Sequence, residues 1–578
     1  ASKEVPVVCF DDAGGIPEFT AKGCGISVPF GDVVAMASAV TTYIDDPDLK
    51  DSHGAEGLKQ VRDGFTVTTA GPRILEILRD AMATPPHISV VVPNYNYDRY
   101  LDQRLSTIYS QTFQDFEVIL LDDASPDNSV AVLTDWAKKY PATRLIVNER
   151  NSNSPFAQWL KGMAAARSDL IWIAEADDFC EPQLLEALVP AMDDRNVFLA
   201  HVKSVPVDAE GKVLGNYEQL YLNRIAENRW SRSYSATDHR EVDAGLAIGN
   251  VIPNASAVVF RRFKPEDDFV KQVTTMRMCG DWYFYLRALR GGNVAFESQP
   301  LNYHRRHSNT VTHQTEGSLR YFDELAEIRR YISNTFCVSD DTRRKADTFS
   351  VQDLDRFRVT DERTRQHIRE LSKLVCNKVM PTILVVISDL SPGGGQMFAI
   401  RLVNAWTHAG GRAILLNVGM FPDHKKVVGR IDQRVSIYDA RTPDFSLGRL
   451  IADCDIDVVH ASVWWSDRFV HEHRHELSEK VAWCITTHGC YETLIDKPHT
   501  DASFPRRFPE MLERVDEWIY IADKNLGVFD RYGYPERLSK INNGFEPEEP
   551  VELSKKSLGV REDSLVLLLV SRAIAEKG

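Results

Sequence analysis

The sequence predicts an α/β protein built on doubly wound sheets, and three observations support this fold class. Short apolar strands such as "ISVVVP" and "FEVILL" alternate with helical segments between residues 88 and 332. Several of these strands end in polar loops. The same alternation returns after residue 380, with strands such as "TILVVI" that are apolar along their whole length. Such strands are typical of parallel sheets that are covered on both faces.

The composition divides the chain into four segments. Residues 1–86 open on the apolar strand "VPVVCF", which leads through a glycine-containing loop into helical patterns. Residues 87–332 hold the first run of alternating strands and helices, and the charged residues 333–380 are predicted to form a partly helical spacer. Residues 381–578 form a second α/β region. A chain of 578 residues is too long for one core, and its length suggests roughly three or four domains.

The charge and the cysteine content restrict the partners and the compartment. A net charge of −15 disfavours sequence-independent binding to nucleic acid or to an anionic membrane, although the basic stretch 261–264 offers a local contact. Nine scattered cysteines without a CxxC pair indicate reduced thiols. The sequence shows neither a signal peptide nor an apolar run of membrane-spanning length. We therefore expect a cytoplasmic protein that does not bind nucleic acid, and leave open a peripheral association with the inner face of the membrane.

Acidic side chains follow several strands of the segment 87–332. The loops at 93–96, 122–129 and 175–178 each come at the end of an apolar strand. Because the carboxyl ends of parallel strands meet at one crevice, we expect these loops to converge. The carboxylates in them belong to Asp122, Asp123, Glu175, Asp177 and Asp178.

This group of carboxylates predicts a site for a divalent cation. Carboxylates crowded at the end of a buried strand repel one another unless a positive charge lies among them. Oxygen ligands suit Mg²⁺ or Mn²⁺ rather than zinc, and the oxygens of a diphosphate often complete the coordination of such an ion. The alternative is that these aspartates only cap helices and make turns, and for any one loop taken alone this alternative stays open.

The stretch from "ISVVVPNYN" through "DDASPDNS" to "IWIAEADD" resembles the family-two glycosyltransferases of the GT-A fold, over about residues 88–332. The resemblance implies that the loop starting at Asp122 and Asp123 binds the base and ribose of a nucleotide-sugar donor. It places Pro93 and Tyr95 beside the base. The fold class that we expect is therefore α/β with a central GT-A domain.

The same family carries its metal on a DxD motif, which falls here on Glu175-Ala176-Asp177. Glutamate replaces the usual first aspartate, so we expect Asp177 to be the direct ligand of Mg²⁺ or Mn²⁺, with Glu175 beside it. Asp178 is the neighbour most easily confused with Asp177. The departure at Glu175 also supports an alternative function, namely a scaffold or nucleotide-sugar binding module without turnover.

Two later motifs extend the resemblance. The segment "MCGDWYFYLRAL" matches the acceptor-side motif of the family, which makes Asp281 the base that deprotonates the attacking hydroxyl. The segment "NYHRRHSNTVTH" resembles the one that closes over the diphosphate, so Arg305 and Arg306 would bind phosphate oxygens and His307 would be a further metal ligand. A solvated loop with one buried histidine is the alternative for this segment.

Together these matches imply an inverting glycosyltransferase. We expect it to move a sugar from a nucleotide-sugar donor to a hydroxyl of a glycan or lipid-linked glycan acceptor, in the synthesis of a bacterial surface polysaccharide. The metal would stabilise the departing nucleoside diphosphate as a Lewis acid. The sugar, the base and the linkage depend on the shape of the pocket, which the sequence does not reveal.

Both ends of the chain resemble the family-four retaining glycosyltransferases of the GT-B fold. Residues 1–86 resemble the last third of its nucleotide domain, and residues 381–578 its first part. The resemblance implies that Arg572 and Lys577 hold a donor diphosphate. We expect both ends to be incomplete Rossmann-like GT-B segments without catalysis of their own, cut from a longer polypeptide. The matching stretches in the second segment are "SPGGGQMFAIRLVNAW", "THGCYE", "INNGF" and "SRAIAEKG".

Two further motifs are weak. The glycine turn at 393–395 lacks the GK(S/T) of a P-loop, which argues against an NTPase. The sequence "HEHRH" at 471–475 fits the H-E-x-x-H helix of zinc proteases. Its polar flanks indicate instead a solvated helix face, so we do not expect a protease.

Overall fold

The chain falls into two compact units, residues 1–86 and 87–578. The structure, a computed structural model, describes residues 4–12, 16–64, 85–306, 319–489, 491, 494–495 and 501–541. The predictions for His307, Arg572 and Lys577 lie outside the described residues. In the part of the chain that is described, no helix is both long enough and apolar enough to cross a membrane.

The first unit is a small β-α arrangement. Its two described strands pair in parallel, with Val7 opposite Gly25. Asp32 caps the second helix by accepting a hydrogen bond of 2.8 Å from the backbone N–H of Ala35. The elements are β1 (Val7–Phe10), α1 (Ile16–Phe19), β2 (Gly25–Val28), α2 (Val33–Asp45) and α3 (Pro47–Gly64).

The second unit begins with a mixed sheet, in which the described residues supply nine strands. The strand order is β5-β4-β3-β6-β10-β8-β11-β7, and β9 pairs with β11. The strands are β3 (Ile88–Asn94), β4 (Phe116–Asp122), β5 (Thr143–Val147), β6 (Leu170–Ile173), β7 (Phe179–Cys180), β8 (Val197–Val207), β9 (Tyr234–Thr237), β10 (Val258–Arg261) and β11 (Asn293–Arg305).

Helices cover both faces of this sheet. The apolar side chains on its two faces form separate cores, one centred on Leu101 and Trp172 and the other on Trp159 and Phe284. The helices are α4 (Asp98–Tyr109), α5 (Ser129–Lys139), α6 (Pro155–Ala165), α7 (Leu184–Met192), α8 (Tyr217–Leu220), α9 (Asp238–Glu241), α10 (Asp267–Thr275) and α11 (Gly280–Leu289).

The prediction of a parallel sheet in this region is only half right. Strands β3, β4, β5 and β6 are parallel to one another, but β10 lies between β6 and β8 and runs antiparallel to both. A continuous apolar run shows that a strand is buried on both faces, but it does not show the direction in which the strand crosses the sheet.

The first four strands place the loops that follow them at one edge. The chain runs outward from β3 through β4 to β5, and then crosses back so that β6 pairs with the other side of β3. Asn94 at the end of β3 lies opposite Asp122 at the end of β4. This reversal of strand order opens a crevice beyond the carboxyl ends of β3 and β6, where ligands bind in open α/β sheets.

The charged segment 333–380, which the sequence predicts to be a spacer, packs on the mixed sheet instead. Phe349, Leu354 and Ile368 are buried in the same core as Trp159 and Phe284. The spacer prediction is wrong because the few apolar residues of this charged segment lie on the helix faces that pack against the core. The helices here are α12 (Arg320–Thr335), α13 (Asp340–Arg356) and α14 (Glu362–Leu371).

Cys337 and Cys376 form a disulfide that closes this helical segment, with 4.8 Å between their Cα atoms. The prediction of reduced thiols is therefore wrong for these two cysteines. Thirty-nine residues separate them, and only the packing of the intervening helices brings them together. Six further cysteines of the described residues are free.

The last part of the second unit is an all-parallel sheet of the order β14-β13-β12-β15-β16-β17-β18. The residues of β12 and β13 are fully buried, as the apolar run "TILVVI" predicts. The strands are β12 (Ile383–Ile387), β13 (Ala413–Asn417), β14 (Ser436–Asp439), β15 (Val458–Ala461), β16 (Ala482–Thr487), β17 (Glu517–Tyr520) and β18 (Leu538–Lys540). The helices between them are α15 (Gly394–His408), α16 (Lys425–Val428), α17 (Leu447–Cys454), α18 (Trp464–Glu472), α19 (Phe504–Leu512) and α20 (Gly527–Tyr532).

The mixed sheet and the parallel sheet belong to one compact unit and share a polar interface. Asn196 exchanges two hydrogen bonds of 2.8 Å with the backbone of Ile437. Asp238 and Arg412 form a buried ion pair across the same interface. These directed contacts fix the orientation of the parallel sheet relative to the mixed sheet.

Candidate active site

A cavity of about 650 Å³ lies beyond the carboxyl ends of β3, β4 and β6. The loops that follow these strands form one wall, and the first turn of α11 forms another. Most of the predicted site residues of the mixed-sheet domain line it, namely Pro93, Tyr95, Asp123, Glu175, Asp177 and Asp281. The structure therefore brings together side chains from distant parts of the chain.

Asp123 organises one end of the cavity. Its carboxylate accepts hydrogen bonds from the side chains of Asn148 (2.6 Å) and Gln158 (2.9 Å), and from the backbone and the hydroxyl of Ser152. These contacts hold the loop between β5 and α6 against the end of β4. Asp123 thus lines the cavity and also shapes it.

Asp122 does not line the cavity. It is fully buried, and it accepts hydrogen bonds from the Asn94 amide (2.8 Å) and from the backbone and hydroxyl of Ser125 (2.9 and 2.7 Å). These bonds tie the end of β3 to the turn after β4. Asp122 therefore stabilises the protein framework. It does not line the cavity in which the sequence predicts it to bind the donor.

Glu175 is half-buried in the wall of the cavity next to an indole. The Nε1–H of Trp159 donates a hydrogen bond of 2.7 Å to its carboxylate. Burial, together with the charges of Asp177 and Asp178, raises the pKa of Glu175 to about 8. Near neutral pH the Glu175 carboxyl therefore holds a proton for much of the time, unless a cation lowers its pKa.

Asp178 is the most deeply held of the three acids. It accepts hydrogen bonds from Asn254 (2.9 Å), from the Ser256 hydroxyl (2.6 Å) and from the backbone N–H of Arg305 (2.9 Å). Burial and the neighbouring charge of Asp177 raise its pKa. Asp177 and Asp178 both line the cavity, and the hydrogen bonds from Asn254 and Ser256 show that Asp178 also supports the surrounding framework.

His304 is a cavity residue that the sequence analysis does not identify. It lies in the last part of β11 and lines the cavity, and its Nδ1 is 2.5 Å from the Tyr217 hydroxyl. The sequence motif suggests a loop here, whereas residues up to Arg305 belong to the strand. Successive side chains of a strand point to opposite faces of the sheet. A strand prediction for this segment would therefore have placed His304 and Arg305 on opposite faces.

Arg305 is turned away from the cavity and fully engaged. It is buried, and its guanidinium donates to the carbonyl oxygens of Asp177 (2.7 Å) and Ala209 (2.6 Å) and to the side chain of Gln103 (2.7 Å). Arg306 is exposed and does not line the cavity, although its backbone N–H bonds the Val207 carbonyl at 2.8 Å. The structure does not bring either arginine to the cavity as a free phosphate ligand.

The oxygen atoms at the cavity fit a small divalent cation that is shared with a substrate. Within the described residues no group of three or more His, Cys, Asp or Glu side chains has the geometry of a complete metal site. Mg²⁺ is commonly held by only one or two carboxylates, with substrate phosphates and water completing the shell. Asp177, Glu175 and His304 line this cavity and are the residues that would hold such an ion.

Asp281 faces these acids from the first turn of α11. It accepts a hydrogen bond of 3.1 Å from the Asn250 amide and one of 2.7 Å from the backbone N–H of Trp282. Burial raises its pKa to about 6, so the group is ionised at neutral pH and can still take a proton.

Glu324 fixes the chain that leads into α11, although no sequence motif identifies it. Its carboxylate accepts hydrogen bonds from the backbone N–H groups of Arg277 (2.8 Å), Met278 (2.9 Å) and Cys279 (2.9 Å). Cys279 is the residue that precedes the helix. The position of Asp281 therefore depends on a carboxylate from α12.

The H-E-x-x-H match is not a metal site. Helix α18 ends at Glu472, and His475 lies on a separate short 3₁₀ turn at 474–476. His471 Nε2 pairs with Glu510 at 3.3 Å. The two histidines thus do not share the continuous helix face that zinc-protease ligands need.

Residues 89–241, which contain the strands that end at the cavity, match the family model described as "Glycosyl transferase family 2". This stretch of the chain is therefore similar to the family-two glycosyltransferases.

Individual relatives are similar over shorter stretches. An uncharacterised glycosyltransferase of a Nostoc species is 33% identical over 110 residues, which are 19% of this chain and 34% of the relative. The poly(ribitol-phosphate) beta-glucosyltransferase of Bacillus spizizenii is 31% identical over 100 residues, or 17% of this chain and 16% of that protein. The chain therefore spans about a third or less of the length of these relatives.

Among solved structures, Staphylococcus aureus TarS 1–349 in complex with UDP-GlcNAc is similar with a TM-score of 0.36 and 15% identity. The match covers 47% of this chain and 74% of that one. A likeness at this level is too distant to support a conclusion about a site or a substrate.

Proposed function

We propose that the mixed-sheet domain is an inverting glycosyltransferase that uses a nucleotide sugar. The observation that carries the proposal is the position of Asp177 and Asp281 on one cavity of about 650 Å³, from separate elements. In this proposal Asp177 would hold a cation against the leaving group and Asp281 would take the proton of the attacking hydroxyl.

In the proposed mechanism Asp281 takes the proton of the acceptor hydroxyl as that oxygen attacks the anomeric carbon. Its raised pKa makes it a better base than an exposed aspartate, and the bond from Asn250 holds one carboxylate oxygen in place. A single displacement by this route inverts the anomeric centre.

The opposite wall would receive the leaving group. Tyr95 and Pro93 would flank the nucleoside base, and Asp123 would accept hydrogen bonds from the ribose while it keeps the 148–158 loop in place. Asp177, with Glu175 and His304 on the same wall, would hold Mg²⁺ or Mn²⁺ against the diphosphate. The ion, when bound, offsets the charge that develops on the departing diphosphate.

The acceptor that we propose is a hydroxyl of a glycan or lipid-linked glycan of a bacterial surface polysaccharide. The support for this is the relative that is named a poly(ribitol-phosphate) beta-glucosyltransferase, whose polymer presents hydroxyl groups. The screen of nucleotide sugars described below would identify the sugar.

Residues 381–578 are proposed to be the first part of a GT-B domain, and residues 1–86 the end of another. The support is the continuous set of parallel strands in the described part of 381–578 and the glycines 393–395 at the start of α15. Arg572 and Lys577 would contribute to the donor pocket of such a domain. In this chain we assign turnover only to the mixed-sheet domain.

The second candidate is a nucleotide-sugar binding module without turnover, favoured by the hydrogen bond from Trp159 that engages Glu175 at the first DxD position. It shares the binding steps of the transferase but not the role of Asp281. Metal-dependent binding of a donor without hydrolysis or transfer would distinguish it from an enzyme.

The test is binding of nucleoside diphosphates by calorimetry with and without Mn²⁺, followed by a screen of nucleotide sugars for hydrolysis or transfer. We expect Mn²⁺ to increase the affinity in the wild type and to have no effect in Asp177→Asn, which keeps the side-chain volume but removes the charge. Glu181→Gln is a matched control, because Glu181 is near Asp177 in sequence but bonds the Tyr303 hydroxyl and does not line the cavity. An Asp177→Asn variant that keeps the full effect of Mn²⁺ would refute the metal assignment.

A further inference from the structure

A second cavity, of about 550 Å³, lies between the mixed-sheet and parallel-sheet domains. One side is formed by residues 263–267 and by residues around the end of α11. The other side is formed by residues 407–413 and 432–434. The cavity shares no lining residue with the candidate active site, although Asp281 of that site and Arg287 of this cavity lie on the same helix α11.

This interdomain cavity carries an excess of positive charge in a protein whose net charge is −15. Arg287 and Arg290 both pair with the single carboxylate of Glu266. Arg434 has no carboxylate partner among the described residues, and its Nη atoms donate to the carbonyl oxygens of Ala288 (2.8 Å), Arg287 (3.1 Å) and Arg290 (3.1 Å). Arg412 also lines the cavity, but it already pairs with the buried Asp238 and adds no unbalanced charge. The other charged lining residues are the cations Lys264, Arg287, Arg290 and Arg434 and the acids Glu266, Asp267 and Asp432.

The environment of Arg434 shows that the local charge is not balanced. Burial, with the neighbouring charges of Arg290 and Arg287, lowers the pKa of Arg434 to about 9. An anion in the cavity would relieve this repulsion. The position of the cavity between two sheets and its cationic lining favour the binding of an anion independently of the pKa.

Lys264 is a cation of this cavity that the described part of the protein does not use. It is exposed at the rim, and its ammonium makes no ion pair or hydrogen bond within the described ranges. An incoming oxyanion would give this ammonium a partner, and it would give Arg287 and Arg290 an acceptor besides the carboxylate of Glu266 that they share.

We propose that this interdomain cavity binds an oxyanion of the phosphate class. Guanidinium groups match phosphate oxygens with paired hydrogen bonds, and a lysine adds a mobile point charge. The ligand is either a free phosphate or diphosphate, or the phosphate group of a larger molecule. Because both domains contribute lining residues, the bound anion stabilises their docked arrangement.

The test measures binding of inorganic diphosphate by calorimetry and thermal unfolding, in EDTA, so that the metal-dependent active site does not contribute. We expect binding to the wild type and to Asp177→Asn alike, with a higher unfolding temperature in both. Lys264→Gln, at an exposed position that does not threaten folding, should bind about tenfold more weakly, and Arg290→Gln at least as weakly. Arg262→Gln is the matched control, because Arg262 neighbours this region but pairs with Asp169 and does not line the cavity.

Comparison of inorganic phosphate, diphosphate and a nucleoside diphosphate in the same assay distinguishes the two sources of the anion. Equal or tighter binding of diphosphate points to a free anion, and tighter binding of the nucleoside diphosphate points to a larger ligand. The proposal is overturned if diphosphate does not bind without metal, or if Lys264→Gln and Arg290→Gln bind it as the wild type does. A loss of metal-dependent donor binding in Asp177→Asn is a separate result that concerns only the active site.

Discussion

The guanidinium of Arg412 forms two hydrogen bonds with the carboxylate of Asp238, from Nη2 to Oδ1 at 2.7 Å and from Nε to Oδ2 at 2.9 Å. The two side chains are 2–3% exposed. Asp238 begins α9 of the mixed-sheet part of the second unit, and Arg412 directly precedes β13 of the parallel-sheet part. Asp238 also accepts the backbone N–H of Gly291 at 2.7 Å. Both partners thus have other polar contacts besides the pair itself, which is the condition under which a buried ion pair is stable.

Removal of one member of this pair is expected to destabilise the protein strongly. Arg412→Met leaves Asp238 buried without its partner, and we expect a loss of about 3–5 kcal/mol in the free energy of unfolding. Urea unfolding followed by circular dichroism measures it. Arg240→Ala is the control: it breaks a more exposed pair with Asp453 at the same interface, at 2.8 Å, and should cost less than about 1 kcal/mol. Similar losses in both variants would show that burial of the Arg412 pair is not important.

Substitution of the proposed base should slow turnover without weakening donor binding. Asp281→Asn keeps the volume and the contact with Asn250, but it cannot take a proton, so we expect kcat to fall by about two or more orders of magnitude. Single-turnover assays and donor titrations measure the two effects separately. Asp268→Asn, in the exposed first turn of α10, is the control and should keep wild-type turnover. A variant Asp281→Asn with near wild-type kcat would place the base elsewhere.

The pH dependence of the wild type should report the same group. Burial raises the pKa of Asp281 to about 6, and the group acts as a base only when it is ionised. Turnover is therefore expected to be constant above that pH and to fall as the pH drops below about 6. An acidic limb near pH 4, the ordinary range of an aspartate, would contradict the assignment.

Glu324 is expected to be a positioning residue for this base. Glu324→Gln removes the charge that organises the three backbone N–H groups before α11, so we expect kcat to fall roughly ten- to a hundredfold with little change in donor affinity. The charge of Glu324 also contributes, after burial, to the raised pKa of Asp281, so the acidic limb should move to lower pH.

A variant on the exposed side of the same helix serves as the comparison for Glu324. Glu327→Gln breaks a pair with Arg330 and should leave both kcat and the acidic limb unchanged. A Glu324→Gln protein that loses stability but keeps the wild-type pH profile would have a structural role only.

Arg305 is expected to matter for stability and not for donor affinity. Arg305→Lys cannot reproduce the planar set of bonds to Asp177, Ala209 and Gln103, and we expect a loss of about 2–4 kcal/mol in the free energy of unfolding. Nucleoside diphosphate affinity of the folded protein should be close to that of the wild type. A stable Arg305→Lys variant with much weaker donor binding would restore the role that the sequence motif indicates.

The sequence by itself determined where strands end and which side chains follow them. An apolar run followed by carboxylates is a local signal, because burial of a strand and solvation of its loop are both properties of short segments. For this reason the sequence alone suffices to place Asp123, Glu175 and Asp177 at one sheet edge, while a motif match singles out Asp281. The buried parallel strands after residue 380 can be predicted from the same kind of local signal.

Only the tertiary structure decided which of these side chains line the cavity and which are held by hydrogen bonds to other parts of the protein. Asp122 is bound by Asn94, 28 residues away, and Arg305 by Gln103, 202 residues away, so neither is available to a ligand. The direction of β10, the Cys337–Cys376 disulfide and the support of Asp281 by Glu324 likewise depend on contacts between distant segments. Long-range packing sets these partners, and a local pattern contains no information about which distant group will satisfy a buried polar atom.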